Sequence, residues 1–113
     1  FYAANIYPEH IRQALNRQAW YGKFTGKFVM EKKYLHNKDE ALYINIELRQ
    51  GNASSRTLVN EIQKHIIATL MEINMEYKFL WNNLDKDLKP HVNLLPYQEK
   101  KYFPLGLKPK YIY

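Results

Sequence analysis

The chain finishes on YFPLGLKPKYIY, residues 102 to 113, where Lys108 and Lys110 flank Pro109 between aromatic residues. A lysine ammonium is a compact charge on a long stem, suited to meeting a phosphate or a carboxylate. Pro109 fixes its own φ and stiffens the tip that carries the pair. Two chemistries fit this placement. One is a solvated basic tail that binds an acidic partner; the other is a single lysine carried into the active site of another domain.

Elsewhere the sequence offers little that could react. His10, His36, His65 and His91 are isolated from one another and there is no cysteine, so no metal site is expected. His65 lies beside the apolar face of a long helical stretch, where a packed or boundary histidine is the simpler reading. No G-x-S-x-G elbow and no thiol supplies a nucleophile. Asp85 and Asp87 sit in a lysine-rich turn and read as a solvated loop. Both phosphate-cradling signatures, G-x-x-x-x-G-K-[ST] and G-x-G-x-x-G, are absent, so self-contained catalysis is not expected.

Composition bounds the partners. The 113 residues carry a net charge of +6, which raises nucleic acid, anionic lipid and phosphate-bearing ligands. The charges are scattered, however: Lys32-Lys33 and Lys100-Lys101 are pairs and not runs, so a solvated basic surface is the default. YGKFTGKFVM invites comparison with the RNA-recognition motif, K/R-G-F/Y-G/A-F-V-x-F/Y. Phe24 stands where glycine is required and Lys27 where an aromatic is required, so the stacking platform is not encoded and the residues argue against nucleic acid. No stretch nears the roughly 18 apolar residues of a membrane span. With no cysteine and no secretion signal, the chain fits an intracellular, cytoplasmic protein.

The elements that must position these residues are legible from periodicity. FYAANIY is short and β-prone, and Pro8 followed by Glu9 suits the first turn of a helix. Ile11, Ala14, Leu15 and Gln18 share a face, predicting a helix from 8 to about 18. Residues 23 to 34 alternate, with Phe24, Gly26, Phe28 and Met30 on one side. Residues 41 to 49 alternate more cleanly, with Leu42, Ile44, Ile46 and Leu48 inward and Tyr43, Asn45, Glu47 and Arg49 outward. HNKDE between them is a polar turn, so the two runs predict an antiparallel pair. Ser54 or Ser55 can cap the next helix, whose stripe of Leu58, Ile62, Ile66, Leu70 and Ile73 runs from about 56 to 73. A second short helix follows over MEYKFLWNNL, and HVNLL reads as a last core strand. Pro90, Pro96, Pro104 and Pro109 then forbid long regular structure. The order β-α-β-β-α-β predicts an α+β domain of ferredoxin-like arrangement, with a small antiparallel sheet covered by helices.

ANIYPEHIRQAL at the start, TGKFVM and INIELR between, and FPLGLKPKYI at the end resemble the small C-terminal domain of adenylate-forming enzymes, in the phenylacetate–CoA ligase-like branch. The resemblance spans the whole chain. Asn5, Ile6, Tyr7, Pro8 and Ile11 match that branch's N-[IV]-[FY]-P-x-x-I segment. The end resembles its terminal basic motif, although Leu107 separates Gly106 from Lys108 and Arg12 stands where glutamate usually follows Ile11.

The resemblance implies that residues 1–113 are the lid domain of a longer chain. It implies that Lys108 or Lys110 is inserted during adenylation, with the choice between the two open. An absent N-terminal adenylation domain would bind ATP, magnesium and the carboxylic acid, and the lid would present a second face for thioester formation with CoA. Lys23, Lys27, Lys32 and Lys33, on the first hairpin strand, could then steer the phosphorylated ends of CoA, or be only the strand's wet face. Two other functions fit the residues: a relative that passes the acyl-adenylate to an amine, and a non-catalytic basic module that binds RNA or protein.

Overall fold

Pro8 opens α1 (Pro8–Leu15), and the backbone N–H of Tyr7 donates to His10 Nδ1 at 3.0 Å across the first turn. The structure, a computed structural model, describes residues 6–34, 40–83 and 89–104. Most of the opening strand expected over 1–7 lies outside these residues, and Ile6 and Tyr7 carry no strand. Most of the 36–40 turn, Asp85, Asp87 and everything beyond Pro104 also lie outside them.

The first helix is shorter than its periodicity suggests. It ends at Leu15, and a 3-10 turn at Gln18–Trp20 follows. Trp20 would fall about two and a half helical turns after Ile11, on the opposite face of a continued helix. Breaking the helix at Asn16 instead lets Trp20 enter the core, where it is 3% exposed.

Next come β1 (Phe24–Tyr34) and β2 (Glu40–Leu48), paired antiparallel as the alternation requires. Phe24 faces Leu48 and Phe28 faces Ile46, so four steps along β1 match two along β2. This bulge at 25–27 adds an even number of residues, so Phe24 and Phe28 stay on the same side. Gly26 accommodates it at φ +97°, a backbone region that side-chain-bearing residues rarely adopt.

Ser55 caps α2 (Arg56–Ile73), its Oγ accepting from the Leu58 N–H at 3.1 Å. Asn74 separates α2 from α3 (Met75–Asn83). Its N–H donates to the Leu70 carbonyl at 2.9 Å, and its Oδ1 accepts from the Tyr77 N–H at 3.0 Å. One buried asparagine thus ends one helix and starts the next. The chain then returns as β3 (His91–Leu95), and Gln63 on α2 donates to the Pro90 carbonyl at 2.8 Å just before it.

The sheet order is β1-β2-β3, and the β2–β3 pair is parallel. The α+β class and the order from the first helix onward are as expected; the sheet is mixed where a purely antiparallel one was expected. The reason is connectivity. Parallel neighbours need a long crossover, and α2 with α3 supplies it.

Alternation divides the sheet into two faces. Phe28, Met30, Leu42, Ile44, Ile46, Leu48, Val92 and Leu94 join Ile11, Ala14, Trp20, Leu58, Ile62, Ile66, Leu70 and Tyr77 in one core under the helices. Full burial of each large aliphatic side chain contributes about 1.5–3 kcal/mol. On the opposite face Val29, Glu31, Ala41, Asn45 and Glu47 are buried too, where the sequence predicted a wet surface for the β2 residues. Residues 96–104 cover it.

Candidate functional site

Lys108 and Lys110, the residues with the sharpest predicted role, lie outside the described residues. What the structure shows is the segment from which they extend. After β3, Pro96–Pro104 turns back across the second face of the sheet. Two short bonds shape it: Glu99 N–H to the Pro96 carbonyl at 3.1 Å and Phe103 N–H to the Glu99 carbonyl at 2.9 Å. Gln98 adopts φ 58°, the left-handed region that costs a non-glycine residue about 1 kcal/mol or more.

Two sheet carboxylates hold this strap. Glu47 on β2 is 1% exposed; its Oε2 accepts from the Gln98 N–H at 2.8 Å and its Oε1 from the Thr25 hydroxyl at 2.6 Å. Glu31 on β1 accepts from the Tyr102 hydroxyl at 2.7 Å, and Lys33 Nζ stands 3.6 Å from the same carboxylate oxygen. Between them Asn45 accepts from Asn93 Nδ2 at 3.1 Å, tying β2 to β3 on this face. Phe103, 4% exposed, closes the strap with an apolar anchor.

The electrostatics follow the geometry. Burial pushes the Glu31 carboxyl up, but the Tyr102 hydrogen bond and the positive charges of Lys33 and Lys101, with Asn45 beside it, outweigh that and hold it below the ordinary carboxylate value. Tyr102 is raised, first by burial and then by its bond to Glu31, so its hydroxyl keeps the proton it donates. His65, edge-on to Trp20 at 5.4 Å between ring centroids, is lowered by burial and by the charge of Arg17.

The other predicted cations are not gathered together. Lys23, expected on the strand, is exposed in the turn just before β1, its carbonyl accepting from the Arg49 N–H at 2.8 Å. Lys27 sits in the bulge, its N–H donating to Thr25 Oγ1 at 3.2 Å. Lys33 lies over the Tyr43 ring at 4.6 Å and serves the strap's carboxylate. Lys27 does line two clefts. One, of about 490 Å³, adds Thr25, Glu47, Arg49, Gln50 and Tyr97. The other, of about 680 Å³, runs between α1 and β1 past Arg12, Trp20, Phe24 and Arg49.

Arg49 therefore stands with Lys27, and sequence reasoning missed it; its place as the last outward residue of the alternating β2 run was the available signal. Arg12, read only as a departure from the resemblance, lies 6.0 Å from the Phe28 ring centroid on the wall of the larger cleft. Among the described residues no group of three or more histidines and carboxylates is placed to hold a metal ion. None of the helices there is long and apolar enough to cross a membrane.

These features define a small α+β domain: a three-stranded mixed sheet with helices on one face and a carboxylate-anchored strap on the other, leading to a basic tail. No family model and no curated protein sequence matches the chain. A solved structure does: the crystal structure of a domain of phenylacetate–coenzyme A ligase from Bacteroides vulgatus ATCC 8482. The two share a TM-score of 0.56 at 15% sequence identity, over 96% of this chain and 85% of that one. The chain has the fold of that ligase domain.

Proposed function

We propose that the chain is the mobile C-terminal domain of an AMP-forming acid–CoA ligase of the phenylacetate–CoA ligase-like branch. The observation that carries the reading is the fold shared with a phenylacetate–CoA ligase domain along nearly the whole chain. The motif resemblance at both ends supports it.

The chemistry suits a tail lysine. In adenylation a carboxylate oxygen of the acid forms a bond to the α-phosphorus of ATP, and the bond from that phosphorus to the bridging oxygen breaks to release pyrophosphate. Negative charge builds on the phosphoryl oxygens and the leaving group, and a cation positioned in a site closed to water stabilises it. Lys108 or Lys110 supplies that cation. The partner is an N-terminal adenylation domain of the same cytoplasmic chain, which holds ATP, magnesium and the acid. Rotation of the lid withdraws the lysine and lets CoA reach the acyl-adenylate. Lys27, with Arg49 beside it, then meets the phosphates of CoA, and the exposed Lys23 adds to the field.

Alone, this domain has no ligase activity. The test compares ATP–pyrophosphate exchange by the adenylation domain with and without residues 1–113 joined to it, over a panel of aryl and acyl acids. Exchange that depends on the joined domain supports the reading; equal exchange without it overturns the reading. Lys27→Glu is expected to lower CoA-dependent turnover and leave exchange unchanged.

A further inference from the structure

In sequence the strap lies between β3 and the terminal lysines, and the described residues show how it is anchored. Three contacts fall within six residues: Gln98 N–H on the buried Glu47, Tyr102 hydroxyl on Glu31, and the buried Phe103 ring. Both sheet acceptors are carboxyl groups, and a hydrogen bond to a charged acceptor is roughly twice as strong as a neutral one. Lys33 stands 3.6 Å from the same Glu31 oxygen and does not belong to the strap. Thr25 holds the other oxygen of Glu47 from the β1 bulge. The sheet side of both carboxyl contacts is thus preorganised.

We propose that Glu31, Glu47 and Tyr102 are positioning residues for the terminal lysine, fastening the strap so that the tail leaves the domain from a fixed point. The inference rests on the ligase-lid reading above. Lys108 is the fifth residue after Phe103 and the thirteenth after Leu95. With the strap seated, covalent geometry limits Lys108 to about 17 Å from the Phe103 backbone; a strap released back to β3 extends that limit to about 45 Å. Effective concentration falls roughly as the −3/2 power of tether length, so release costs the lysine about fourfold in its rate of productive insertion. The second half-reaction does not use the lysine and is unaffected.

The test uses the full-length ligase with Tyr102→Phe and with the double change Glu47→Gln/Tyr102→Phe. Amide hydrogen exchange at Phe103 reads strap anchoring, ATP–pyrophosphate exchange reads adenylation, and thioester formation from supplied acyl-adenylate reads the second step. The expected result for the double variant is a loss of Phe103 protection of roughly tenfold or more, the size of one charge-assisted bond. Pyrophosphate exchange falls in step with the fraction of strap released, by about fourfold where release is complete, and thioester formation holds. Should the double variant fail to fold, Tyr102→Phe gives the same three readings in the same direction.

Undiminished pyrophosphate exchange with a released strap overturns the positioning role, as does equal loss in both half-reactions. Retained protection of Phe103 in both variants overturns the anchor itself. Lys108→Ala and Lys110→Ala run alongside separate the two claims. If either lysine change abolishes exchange while strap release does not, the lid function stands and only this inference falls. If neither changes exchange, the lid function falls and takes the positioning role with it.

Discussion

At the scale of single residues, Glu31 is the group whose charge state matters most for the strap. Its folded-state pKa is depressed: burial opposes ionisation, and the Tyr102 hydroxyl with Lys33 and Lys101 more than compensates. For a carboxyl group with a depressed folded value, the stabilisation is fully present above the unfolded value, near 4.5, and is lost as pH falls through the lower folded value. Denaturant unfolding of the wild type and of Glu31→Gln from pH 7 down to pH 3 reads this directly. The wild type is expected to lose stability relative to the variant on acidification; a constant difference across that range contradicts the account. The partnership was not legible in the sequence. Glu31 and Tyr102 are 71 residues apart, and alternation assigned Glu31 only to the face opposite Phe28 and Met30. That this face would be covered depends on a segment with no periodicity of its own.

At the scale of elements, the readings that held came from elements with the strongest period. The stripe of Leu58, Ile62, Ile66, Leu70 and Ile73 predicted α2 from about 56 to 73, and the helix is Arg56–Ile73 with Ser55 as its cap. The first four are buried and Ile73, at the helix end, is half-buried, so Ile66→Ala is expected to cost about 2–5 kcal/mol in equilibrium unfolding, and a loss well below 1 kcal/mol would place the stripe off the core. β2 was equally legible because its apolar residues alternate without exception from Leu42 to Leu48.

The bulge in β1 was not, since its even insertion leaves the alternation of Phe24 and Phe28 intact and therefore leaves no trace in the pattern. Its physical signature is Gly26. A Cβ there meets nothing within 4 Å, so Gly26→Ala tests backbone conformation free of steric clash. The expected loss is about 1–3 kcal/mol. An unchanged or raised stability contradicts the strained φ.

At the scale of the whole molecule, the mixed sheet and the covered second face arise from connectivity. The sequence showed a last strand at HVNLL and a proline-limited tail, but which neighbour β3 joins and in which direction is a choice among long-range pairings that local pattern does not make. β3 lies parallel to β2 beyond a helical crossover, and the chain after it turns back over the sheet. The tail then crosses the polar face, and the outward residues Asn45 and Glu47 become buried acceptors. The same path bears on the proposed function, because a strap fixed at residues 98 to 103 sets the point from which the rest of the chain continues.

The most direct test of the proposed function is ATP–pyrophosphate exchange by the full-length protein carrying Lys108→Ala or Lys110→Ala, over the panel of aryl and acyl acids. Removing a cation that acts on the developing phosphoryl charge is expected to cost roughly 100-fold or more. The account predicts that size of loss in one of the two variants, with thioester formation from supplied acyl-adenylate preserved. Exchange at the wild-type rate in both variants would make GLKPKYIY an ordinary basic tail and contradict the lid function.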